Sequence, residues 1–107
     1  RFAAAKFRYR DTANQIAAGI RATSFRIETI ATQIDLFENT LRPQAEQALR
    51  SSESAYSTGT VGVLDLLDSE RILLDVRLGL AQLHSDYLKA LTEMERTLGT
   101  EFPRSGP

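Results

Sequence analysis

The sequence contains no cysteine and only three prolines and six glycines. Without cysteine there is no disulfide framework and no thiol chemistry, although the compartment stays open. An excess of one charge is missing too: 13 Lys and Arg stand against 14 Asp and Glu. That balance argues against a broad nucleic-acid footprint, which needs clustered cations. The one basic bias, Arg1, Lys6, Arg8 and Arg10 ahead of Asp11, reads as a solvated helix end. No apolar run reaches the roughly 18 residues that a membrane-spanning helix requires. The 107 residues are enough for one small domain or a piece of a larger one. The first residue, Arg1, and the final EFPRSGP look like cut or processing points. A missing targeting segment therefore says nothing about location.

What the sequence does contain is a heptad pattern. Ala13, Ile16, Ile20, Thr23, Ile27, Ile30, Ile34, Phe37, Leu41, Gln44, Ala48, Ser51 and Ala55 step by three and four. This predicts one long coiled-coil helix over about 11–57, kinked near Pro43 and roughly 65 Å long. Gly59 is expected to end it in the left-handed conformation, with Thr60 as N-cap of a second helix over 61–98. The second helix has the seam Leu66, Ser69, Leu73, Val76, Leu80, Leu83, Tyr87, Ala90 and Met94. Pro103 prevents its continuation. Each helix also carries a second stripe at seven-residue spacing: Leu67, Leu74, Ala81 and Leu88 on one, Ala17, Ser24, Ala31, Glu38, Ala45 and Ser52 on the other. A helix facing one partner needs one narrow seam. Two flanks each imply a hairpin that is incomplete alone, with a left-handed supercoil from the strict period. The fold class is thus all-α, a long antiparallel helical hairpin with its turn at 56–62.

Catalytic chemistry finds no footing. His84, Ser85 and Asp86 are consecutive on a helix, so their side chains diverge and cannot form a triad. His84 has Leu80, Ala81, Tyr87 and Leu88 as same-face neighbours, none a good metal ligand. Gly59 and Gly62 lack the lysine of a phosphate-binding loop. The distinctive pair is Asp65 and Asp68, which begin a row continued by Asp75, on the side away from the Leu66 and Leu73 seam. At the start of a helix such acids complement the dipole, by a few tenths to about 1 kcal/mol each. They are equally compatible with a functional acidic face.

The stretch Tyr56-Ser57-Thr58-Gly59-Thr60, followed by Leu64-Asp65-Leu66-Leu67-Asp68 and by Asp86-Tyr87-Leu88 through Leu98-Gly99-Thr100, resembles the second tip hairpin of the TolC-like outer membrane efflux proteins. The upstream LRPQAEQAL, Leu41 to Leu49, resembles their heavy-metal and multidrug branches. The resemblance implies a periplasmic hairpin fragment of a homotrimeric α-barrel beneath an outer-membrane β-barrel. It implies a passive, non-enzymatic conduit of a Gram-negative bacterium, without cofactor or metal. That conduit exports metal ions or drugs together with an inner-membrane pump and a periplasmic adaptor protein. By the same resemblance Asp65 and Asp68 line the pore constriction, and Tyr56, Ser57, Thr58, Gly59 and Thr60 form the adaptor-docking tip. Membrane contact would come only through other parts of the chain. A departure is Val61, where a family member carries an arginine that helps hold the tip closed. The alternative is a self-contained structural coiled-coil bundle without a transport role, and the isolated piece is expected to be able to form such a bundle.

Overall fold

A computed structural model describes residues 2–101, with the side chains of residue 6 and residues 8–99. It contains helix α1 (Phe2–Leu36), a five-residue π-turn (Phe37–Leu41), helix α2 (Arg42–Ser57) and helix α3 (Val63–Glu101). No strand occurs among the described residues. The fold is an all-α helical hairpin. Helix α1 starts at Phe2 rather than near Asp11, and α3 runs from Val63 to Glu101 rather than over 61–98. Pro103 lies outside the described residues.

The packing of the described residues divides into two compact units, one of Ile30–Asp86 and one of the residues up to Thr29 with those from Tyr87 onward. In the Ile30–Asp86 unit, α2 and α3 are antiparallel across the turn. The Ser52 and Ser69 hydroxyls meet at 2.7 Å, and Phe37 lies over Gly79. Leu66, Ser69, Leu73, Val76, Leu80 and Leu83 all come out buried or half-buried, so the α3 seam follows its heptads. In the other unit Tyr87, Ala90 and Met94 continue inward-facing positions on α3, opposite Ile16, Ile20, Thr23 and Ile27 on α1. There Arg26 Nη2 reaches Glu93 Oε2 at 2.7 Å, with both side chains about half exposed. Two charges this solvated contribute at most about 1 kcal/mol.

On the first arm Ala13 is exposed, and the expected seam is lost from Gln44 to Ser51 and met again only at half-buried Ala55. Gln44, Ala48 and Ser51 are exposed, while Ala45, Leu49 and Ser52 are buried or half-buried. The cause is the π-turn. Its wider ring closes from Arg42 N–H to the Phe37 carbonyl, five residues back, and so inserts one residue into the helical count. The inward positions run Phe37, Leu41, Ala45, Leu49, three four-residue steps in a row, where the heptad alternates four and three. The kink expected at Pro43 therefore takes the form of a π-turn immediately upstream. Ala45 and Ser52, read as a second flank, are the packing face of α2.

Few side chains are buried. Among the described residues the buried apolar ones are Ile30, Ala45, Leu73 and Ala90, while Leu64, Leu67, Leu74, Leu78 and Leu88 are all more than half exposed. Two helices lying side by side bury only one stripe each, so the flanks remain open.

Candidate functional site: the tip turn and the faces of α3

Helix α2 ends at Ser57, and the chain turns through Thr58, Gly59 and Thr60. Gly59 has φ of 78°, the left-handed region where a Cβ is unfavourable. Thr60 N–H donates to the Ala55 carbonyl at 2.8 Å, and Gly59 N–H donates to the Tyr56 carbonyl at 3.0 Å. These paired bonds are a Schellman motif, which satisfies carbonyls that the helix end would leave orphaned. The Thr58 hydroxyl donates back to the Ala55 carbonyl at 3.1 Å, and the Thr60 hydroxyl lies 2.9 Å from that of Thr58.

Thr60 is not the N-cap of α3. Its hydroxyl is engaged with Thr58, and the helix begins three residues later at Val63. Gly62 holds the cap position instead, its carbonyl accepting Leu66 N–H at 3.4 Å. The turn thus consumes both hydroxyls in ordering itself, and a glycine, tolerated at this position, opens the next helix. Tyr56, Ser57, Thr58, Gly59 and Thr60 are all exposed. A shallow open groove beside them is lined by Gln47, Arg50, Ser51, Ser54, Ala55 and Thr58. The phase shift at the π-turn leaves Ser51 facing outward there, beside exposed Gln47.

Past the turn, α3 has three distinct faces. One residue turns about 100° around a helix axis. Leu67 and Leu74 therefore stand about 100° to one side of the Leu66 and Leu73 seam, and Asp65 about 100° to the other. Leu67, Leu74 and Leu78 form an exposed apolar flank, interrupted by Arg71, and exposed Leu64 stands between that flank and the acids. Asp65, Asp68 and Asp75 are exposed along another face, with Ile72 among them. Asp68 Oδ1 meets Arg71 Nη2 at 3.4 Å, a pair one turn apart with both side chains well solvated. No cluster of metal-ligating side chains occurs among the described residues, and none of their helices is long and apolar enough to cross a membrane. His84 and Ser85 are exposed, and Asp86 accepts from Gln82 Nε2 at 3.0 Å, so the three do not assemble into a triad.

Two features escaped the sequence reading. The first is the π-turn, whose available signal was Leu49, a large apolar residue left out of the assumed seam. The second is the contact of Phe37 with Gly79, signalled only by a glycine inside a leucine-rich helix.

No curated protein and no solved structure matches the chain. The family model described as outer membrane efflux protein matches residues 1–100, further upstream than the motifs from Leu41 onward. With the helical hairpin, its glycine-capped turn and that match over nearly the whole length, the chain belongs to the outer membrane efflux protein family.

Proposed function

We propose that this hairpin is one segment of the wall of a periplasmic efflux conduit, with the turn at its periplasmic tip, the end that closes. The family is one of outer-membrane channel proteins rather than enzymes. The observation that carries the finer reading is the division of α3 into a packed seam, an uncovered leucine flank and an acidic face. A helix in the wall of a barrel touches a neighbour on each side and shows solvent one further face. Leu67, Leu74 and Leu78 supply the second contact, and their exposure in the single chain is what a missing neighbour leaves behind.

In a homotrimer Asp65 and Asp68 line the constriction near the tip, three copies of each. Carboxylates collected around a narrow pore attract cations and repel anions. Tyr56, Ser57, Thr58, Gly59 and Thr60 present the adaptor-docking surface, and an inner-membrane pump supplies the driving force. Metal ions or drugs are the cargo, and the hairpin lies in the periplasm of a Gram-negative cell. With Val61 in place of an arginine, tip closure runs through other bonds.

Cysteine accessibility tests this arrangement, helped by the absence of native cysteine in the sequence. Single cysteines replacing Leu67 or Leu74 should be shielded from a hydrophilic thiol reagent in the assembled channel. Cysteines replacing Asp65 or Asp68 should react. Equal labelling of the two rows in the assembled channel would contradict the wall assignment.

A further inference from the structure

We propose that the π-turn Phe37–Leu41 and Gly79 together form a hinge, a single level at which both arms of the hairpin are built to bend. The proposal rests on the geometry of the Ile30–Asp86 unit and stands whether or not the chain lines a conduit.

Four weaknesses coincide at this level. The π-turn replaces the regular ladder with a bond from Arg42 N–H to the Phe37 carbonyl. Pro43 follows and has no N–H to offer. The Glu38 carbonyl, which would receive that N–H in the π register, is met instead by the Arg42 side chain. Nη2 donates to it at 3.4 Å, longer than a normal N–H···O bond. Arg42 Nε is buried with no hydrogen-bond partner, a cost that any rearrangement exposing it would relieve. Across the hairpin stands Gly79, inside α3, where a glycine gives the backbone more freedom than any other residue.

Phe37 ties the two arms at this point. A Cβ on Gly79 would lie 2.7 Å from Phe37 Cε2, so the ring occupies the notch that the missing side chain leaves. It provides one contact about which both backbones can flex. Within the Ile30–Asp86 unit the flanking stretches have no comparable features: α1 from Ile30 to Leu36 and α2 from Gln44 onward are regular helix, and the tip end is fixed by its Schellman bonds and the Ser52–Ser69 pair. Bending within this unit is thereby confined to one level.

Hydrogen–deuterium exchange on the full chain tests the hinge. Amides of residues 38–42 and 80–83 should exchange at least roughly tenfold faster than those of 31–35 and 46–50. Deleting exposed Thr40 while replacing Pro43→Ala removes the inserted residue and restores a regular helix without changing the tip register. In that variant the fast exchange at 38–42 should disappear. A Ser52→Cys/Ser69→Cys pair should cross-link equally well in both backgrounds, which shows that the register is kept. Uniform exchange along both arms of the native chain overturns the hinge. So does fast exchange that survives the deletion, or loss of the cross-link in the deleted chain.

Discussion

Replacing Gly79 by Ala is the sharpest probe of the packing. In an exposed helix interior, Gly→Ala stabilises by about 0.5–1 kcal/mol, because the unfolded chain loses freedom and the helix gains propensity. Gly19, in α1 with nothing within 4 Å of a built Cβ, should show that ordinary gain. At Gly79 the new carbon would stand 2.7 Å from Phe37 Cε2, and 3.5 and 3.6 Å from Cδ2 and Cζ. The ring has to swing away or the arms have to part, and overpacking of this kind costs about 1–3 kcal/mol. Subtracting the propensity gain leaves Gly79→Ala between neutral and about 2.5 kcal/mol destabilising, against a gain at Gly19. Thermal unfolding followed by circular dichroism resolves this, since 1 kcal/mol moves the midpoint by about 4 °C or more in a domain of this size. The Phe37→Leu/Gly79→Ala double variant should be less unstable than the sum of its singles, because the smaller side chain vacates the notch. A Gly79→Ala midpoint raised as much as that of Gly19→Ala would refute the reasoning.

Gly59→Val forces a β-branched residue to φ of 78° and should cost about 2 kcal/mol; unchanged thermal stability would contradict the turn geometry. Ser52→Ala leaves the half-buried Ser69 hydroxyl without its 2.7 Å partner, so urea unfolding should show a loss of about 1 kcal/mol. Glu93→Gln removes the pair with Arg26, whose side chains are 54% and 50% exposed. The expected loss is below about 1 kcal/mol and should vanish in high salt, read as the salt dependence of the midpoint.

How far the sequence reveals this molecule differs between its arms. On α3 nothing interrupts the heptads, and every seam position from Leu66 to Met94 is buried or half-buried. Hydrophobic periodicity reports the phase of a helix only while the residue count per turn stays constant. On the first arm one extra residue enters at Phe37–Leu41. A count carried past it then points to Gln44 and Ala48 instead of Ala45 and Leu49. Ala48 and Ser51 in one row and Ala45 and Ser52 in the other are small alike, so only the pair Gln44 and Leu49 separates the two rows. Thr60 illustrates a different limit. Its type suits a cap, but a neighbouring hydroxyl, Thr58, competes for it, and such a local choice is decided by geometry. The glycine at the turn was readable because glycine is the residue type that adopts that backbone most readily. The acidic row was readable as a row. Its facing a pore depends on neighbours that a single hairpin does not contain.

Ion selectivity of the assembled channel tests the central claim most directly. The wall assignment predicts that Asp65→Asn/Asp68→Asn channels in planar bilayers lose most of their preference for cations, seen as a reversal potential shifted toward zero in a salt gradient. A reversal potential identical to that of the unaltered channel would contradict the placement of these carboxylates at the pore.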